Sequence, residues 1–149
     1  MKVASANTFN YLVSFTTSFN IKPPNSKKFT KLLQEYIEDI KQLQMAILKD
    51  CEDVSMTTDI WTTKNCRNSY MATFVHFLTE DFQKKKILIG FSSLGNLGHD
   101  GNTIKNISEQ CLSNFGLISN QVITFVADDS SANIKAAFLL GVQWYEYSG

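Results

Sequence analysis

The stretch Val122-Ile123-Thr124-Phe125-Val126-Ala127-Asp128-Asp129 decides how the rest of the chain is read. Its first six residues are almost continuously apolar, the pattern of a strand buried on both faces of a sheet, and two adjacent carboxylates stop it abruptly. On its N-terminal side, Thr103 is a fair N-cap for a helix to about Phe115, with Ile104, Ile107, Cys111 and Leu112 on one face and Gly116 as its stop. On its C-terminal side, Ser130 to Leu140 returns to helical spacing through Ile134, Ala137, Phe138 and Leu139. Further upstream, Val54–Thr62, Ser69–Thr79 and Lys86–Leu94 are three strand-like runs with short polar connections, so they read as an antiparallel meander. A meander followed by a helix-linked crossover predicts an α/β fold. Its mixed sheet has antiparallel strands one to three, with strand four beside strand one and parallel to it.

Before the sheet, apolar residues fall at Phe29, Leu32, Leu33, Tyr36, Ile37, Ile40, Leu43, Ile47 and Leu48, with Lys, Gln, Glu and Asp between them. That three-and-four spacing, opened by Ser26 as N-cap, predicts an amphipathic helix of about six turns whose stripe packs on the sheet. Residues 1–21 lack a clean period, and Pro23-Pro24 imposes an extended entry. The expected organisation is an arm over 1–25, a helical segment over 26–53, a sheet domain over 54–144 and a tail over 145–149.

Composition narrows the function classes. A chain of 149 residues with 44% apolar content is one domain able to bury a core. Fourteen basic and fourteen acidic residues cancel, so DNA contact has to be local rather than driven by a global basic field. Cys51, Cys66 and Cys111 form no Cys-x-x-Cys pair and have only His76 and His99 to help, which argues against a zinc site or a disulfide framework. No apolar run is long enough to span a membrane, and no membrane partner is expected. The four glycines 90, 95, 98 and 101 are a turn signal, since no Gly-Lys-Ser/Thr follows them.

The predicted topology puts Asp59 on strand one and Asp128-Asp129 at the end of strand four, so acids far apart in sequence converge at one sheet end. Ligands of open α/β sheets gather beyond the carboxyl ends of parallel strands. Paired carboxylates there suit Mg²⁺, a hard cation that takes oxygen ligands, and two such ions stabilise the attacking and leaving oxygens of a phosphodiester. The same residues also have plain structural readings, Asp59 as the start of a turn and Asp129 as a helix cap.

These segments resemble a known family. Val54-Ser55-Met56-Thr57-Thr58-Asp59-Ile60-Trp61-Thr62-Thr63 resembles the first catalytic block of hAT-superfamily transposases and their domesticated BED-zinc-finger relatives. Ile21 to Ser26 is similar to the segment before the family's first long helix, and Tyr70 to Phe77 to its second strand. His99-Asp100-Gly101-Asn102-Thr103-Ile104 resembles a His-Thr-Gly-x-x-Ile loop, with Asp100 in place of Thr. Ala127 to Ile134 resembles a Thr-Asp-Asn-x-x-Asn segment. The five blocks occur in the family's order over residues 10 to 144.

The resemblance implies the N-terminal half of an RNase H-like core, with Asp59 as first acid of a Mg²⁺ site. Asp129 is expected as the second because of its spacing to Asn133, and Asp128 is the alternative. Trp61 and His99 are expected in packing or loop-orienting roles, and His76 as a strand residue. By the same resemblance the protein is nuclear and associated with DNA or with a full-length transposase-like relative. The family's fifth strand, Cys-x-x-His element, helical insertion, third acid and dimerisation region have no match in this sequence, nor does the BED finger. The expectation is therefore a truncated or domesticated transposase fragment that is not an enzyme, whose Mg²⁺ site is incomplete and whose fourth strand lacks an outer neighbour.

Overall fold

The structure is a computed structural model that describes residues 25–64, 68–94 and 98–147. Residues 1–40 and 41–149 form two compact units. Residues 1–24 of the expected arm, and Cys66, lie outside the described residues.

Helix α1 spans Ser26–Leu48. Its cap is Asn25 rather than Ser26, because the Asn25 side chain accepts from the Lys28 N–H at 2.9 Å. Within the first unit, Lys31 and Glu35 make an exposed i,i+4 ion pair at 3.6 Å, while Phe29, Leu32, Leu33, Tyr36 and Ile37 are all exposed. Of the stripe's residues in the second unit, Leu48 is buried as expected while Leu43 and Ile47 are exposed. Periodicity reports that one side of a helix is apolar, and the side alone does not say what it meets.

In the second unit, β1 (Val54–Thr62), β2 (Ser69–Leu78) and β3 (Lys84–Ser93) form the antiparallel meander. Helix α2 (Gly101–Ser113) leads to β4 (Val122–Ala127), which pairs with β1 in parallel. Helix α3 (Ser131–Leu140) then leads to β5 (Gln143–Glu146), parallel to β4, and the sheet order is β3-β2-β1-β4-β5. The mixed sheet with strand four parallel to strand one is as the sequence predicts, over nearly the same residues.

The fifth strand is a correction. Gly141 adopts a φ of 73° and its N–H satisfies the Ala137 and Phe138 carbonyls, so α3 ends in a left-handed cap that turns the chain back along the sheet. Thr124, Phe125, Val126 and Ala127 pair with Gln143, Trp144, Tyr145 and Glu146, which gives β4 its outer neighbour and moves the open edge to β5. The strand also runs through the 144/145 boundary expected from the sequence. Trp144 and Tyr145 favour a strand, but four residues without clear alternation are too short to declare one; pairing with β4 creates it.

The core lies on one face of the sheet. Val54, Met56, Val75, Ile87, Ile89, Phe125 and Ala127 are buried together with Ile104, Cys111 and Leu112 of α2 and Ala136 and Ala137 of α3. Two glycines allow close approach. A Cβ at Gly90 would stand 2.2 Å from Cys111 Sγ, and one at Gly101 would stand 2.7 Å from Lys135 Cβ, so β3 meets α2 and α2 meets α3 closely. Asp100 caps α2 by accepting from the N–H groups of Asn102 and Thr103 at 2.8 and 3.3 Å, and from the Thr103 hydroxyl at 2.8 Å. Helix α2 therefore begins three residues earlier than Thr103 as cap predicts. Aspartate does the capping work of a threonine, which accounts for the exchange in that loop.

Candidate functional site

The opposite face of the sheet alternates with the core face. Thr57 of β1 pairs with Val126 of β4, and period two carries Asp59 and Asp128, each two residues further on, to the side of the sheet that Thr57 and Val126 share. Asp129 has the other parity. Asp59 and Asp128 line one cavity of about 380 Å³, to which Thr57, His76, Lys86 and Tyr147 also contribute. The structure thus brings together Asp59 and Asp128, whereas Asp129 is exposed and does not line this cavity.

Asp128 is held by the residues that follow it. Its Oδ1 accepts from the Ser130 N–H at 3.1 Å and from the Asn133 side-chain amide at 2.6 Å. Ser130 in turn caps α3, its hydroxyl accepting from the Asn133 N–H at 3.3 Å. The spacing Asp-x-Ser-x-x-Asn thereby closes a tight turn in which one carboxylate, one cap and one amide define each other's positions. The carboxyl of Asp128 is held below the usual aspartate range, first by hydrogen bonding with the Ser130 side chain and then, after an opposing desolvation, by the Ser130 N–H and the Asn133 amide. Asn133 is 2% exposed, and its own Oδ1 has no donor among the described residues.

Asp59 is exposed, and among the described residues it accepts no hydrogen bond. Across the sheet, His76 Nε2 lies 3.0 Å from Thr57 Oγ1, and Lys86 Nζ stands 5.7 Å from the Phe74 ring centre. Burial, then the charges of Lys84 and Lys86, lower the His76 pKa and favour the neutral ring. His76 is a strand residue, as expected from the sequence. Further along the same face, Trp61, Tyr70 and Phe91 form an aromatic trio with ring centres 5.5 to 6.1 Å apart, so Trp61 has a packing role. His99 is exposed beside the Asp100 cap.

The donor set suits a hard divalent cation. Asp59 has both oxygens available, and Asp128 is ionised across the neutral range with one oxygen engaged by amides. No cluster of three or more His, Cys, Asp or Glu side chains occurs among the described residues, so two carboxylates are what the site offers. Sequence reasoning missed the parts of Lys86 and Tyr147. Lys86 is visible in the sequence within the Lys84-Lys85-Lys86 run, but its place at the rim of the same cavity depends on the β2–β3 register that pairs it with His76.

Among known proteins, a family described as the ZBED1 RNase-like domain matches residues 57–143. The tpeD protein of Talaromyces stipitatus, described as a transcriptional regulator, is 27% identical over 110 residues, covering 74% of this chain and 13% of that protein. A Drosophila P element transposase, solved as a strand transfer complex, is similar over 93% of this chain and 34% of its own, at 15% identity and a TM-score of 0.49. The chain therefore spans about an eighth of the length of that regulator and a third of that transposase. Matched over more than half its length, the chain belongs to the ZBED1 RNase-like domain family, with an RNase H-like α/β fold.

Proposed function

We propose that this chain is a DNA-associated, nuclear domain of transposase descent in which Asp59 and Asp128 are the surviving ion-holding carboxylates, and that by itself it does not cut DNA. The single observation that carries the reading is their shared cavity at the carboxyl ends of parallel β1 and β4. We assign the second acid to Asp128 in place of Asp129, because period two along β4 and the Asn133 amide both favour it.

Asp59 and Asp128 would hold one magnesium ion, which when bound supplies Lewis-acid stabilisation of charge on a phosphate oxygen. The chain's own residues do the positioning. Asn133 and Ser130 hold Asp128 ionised and aimed at one side of the sheet, and Thr57 orients the His76 ring. Lys86 puts a positive charge at the cavity, within the local basic run 84–86 that offsets a neutral chain and supports phosphate contact. Inactivity follows from the clamp's chemistry, since two carboxylates do not complete a two-metal site. The regulator description of tpeD fits a nuclear role. Pairing with a full-length relative through the sheet edge is a second reading, which the open side of β5 favours over β4.

Mn²⁺ relaxation of backbone amide signals tests the assignment. Broadening is expected around Asp59 and Asp128, abolished by Asp59→Asn or Asp128→Asn and kept in Asp129→Asn. Broadening that survives Asp128→Asn but not Asp129→Asn overturns our choice of acid. Incubation with plasmid and hairpin DNA in Mg²⁺ should leave both intact; cutting that Asp59→Asn abolishes refutes the inactive reading.

A further inference from the structure

Helix α1 carries a stricter pattern than amphipathicity requires. Phe29, Leu33, Tyr36, Ile40, Leu43 and Ile47 step by four, three, four, three and four, the alternation of a heptad seam with Leu33, Ile40 and Ile47 at a and Phe29, Tyr36 and Leu43 at d. Except for Ile40, which is half-buried, these side chains are exposed: Phe29 52%, Tyr36 62%, Leu43 67% and Ile47 52%. The helix meets the core of the second unit with different residues, Leu48, fully buried, and half-buried Met45, at b and f of the same heptad. Beside that contact, Leu43 and Ile47 of the seam stay exposed.

We propose that α1 pairs with α1 of a second copy of this chain as a parallel two-stranded coiled coil. The flanking positions choose this occupant. In a parallel pair each g faces the following e of the other helix, which sets Leu32 against Ile37 of the second copy and Asp39 against Gln44 of the second copy. The first contact widens the apolar seam, the second joins a carboxylate to an amide donor, and neither opposes like charges. The Lys31–Glu35 ion pair lies at f and c, pointing away from the partner. Eight half-exposed apolar side chains, each losing about 90 Å², bury roughly 700 Å² per copy, close to the ~800 Å² per partner of a standard interface. An apolar strip of that size is larger than a monomer ordinarily leaves in water.

Sedimentation equilibrium of the full 149-residue chain at micromolar concentration tests the pairing. The expected mass is twice 16.8 kDa. Tyr36→Lys combined with Leu43→Lys should weaken the dimer at least ~100-fold. Gln34→Lys, at b on the same helix, and the conservative Leu43→Met should both remain dimeric, and unchanged far-UV circular dichroism shows that the variants fold. A monomeric wild-type chain, or a dimer that survives the double substitution, overturns the proposal. Under mild oxidation Tyr36→Cys should cross-link to itself; cross-linking of Phe29→Cys chains to Ile47→Cys chains instead overturns the parallel arrangement.

Discussion

Replacing Asn133 by leucine tests how Asp128 is positioned, and the structure assigns the change two opposing effects. Asn133 is 2% exposed and donates its amide to Asp128 Oδ1 at 2.6 Å, while its own Oδ1 finds no donor among the described residues. A hydrogen bond to a charged acceptor contributes roughly 1.5–3 kcal/mol when buried. Asp128 lies mostly in water, which competes for the acceptor and screens it, so about 1 kcal/mol is the appropriate loss here. Removing the unsatisfied Oδ1 from a buried place returns a similar amount, because an orphaned polar group costs about 1–3 kcal/mol. Asn133→Leu, close in shape, should therefore change stability by less than about 1 kcal/mol, a shift of about half a molar or less in the urea midpoint. Asn133→Asp puts a second carboxylate beside Asp128 in a buried position and should cost about 3 kcal/mol or more at neutral pH. The Asp128 titration, followed by its carboxyl carbon signal, is the decisive reading. It should move up toward the ordinary aspartate value in Asn133→Leu without reaching it, because hydrogen bonding with Ser130 is the larger cause of the depression. Its sign follows from linkage. A depressed carboxylate stabilises the fold above the unfolded pKa and loses that contribution as pH falls through the folded value, so any deficit of Asn133→Leu should be larger at pH 7 than at pH 3. A loss above about 3 kcal/mol in Asn133→Leu, or an unmoved Asp128 titration, would refute this account.

Other perturbations probe the frame around the site. Gly90→Ala places a methyl 2.2 Å from Cys111 Sγ and should cost about 2–3 kcal/mol in urea unfolding, with most of it recovered in the double variant with Cys111→Ala. Asp100→Leu removes the α2 cap and should lower the melting temperature, whereas Asp100→Thr, which keeps an acceptor oxygen in the same place, should restore most of the loss. His76 is favoured neutral by burial and by Lys84 and Lys86, so the unfolded chain takes up its proton first as pH drops. The corresponding stability is complete above the unfolded imidazole value of 6.5 and declines as pH falls from there through the folded value. Urea midpoints at pH 7.5 and 5.5 should therefore diverge more in the wild-type chain than in His76→Gln.

Local chemistry made much of the molecule legible. The nearly apolar run 122–127 is a strand where the sequence predicts one, as is β1, but Ile123 is 51% exposed, so β4 is buried on one face and not on both as its composition suggests. The turn Asp128-x-Ser130-x-x-Asn133 is likewise local, its donors and acceptors lying within five residues of one another. The parallel crossover could be inferred because a short helix between two strands has essentially one way to return to a sheet.

Three matters were settled only by packing. Strand β5 exists because β4 presents a row of unpaired peptide groups beside the Gly141 turn; Gln143 to Glu146, though it holds Trp144 and Tyr145, is too short to form a strand in isolation. The choice between Asp128 and Asp129 as neighbour of Asp59 rests on register. One residue's slip reverses every side chain, and a doublet of identical residues holds no information about which one faces the cavity. Within the second unit, α1 buries Leu48 and half-buries Met45, while Leu43 and Ile47 of the same predicted stripe stay exposed. Spacing along a chain tells which residues of a helix or strand look the same way, and only the assembled neighbours determine what they look at.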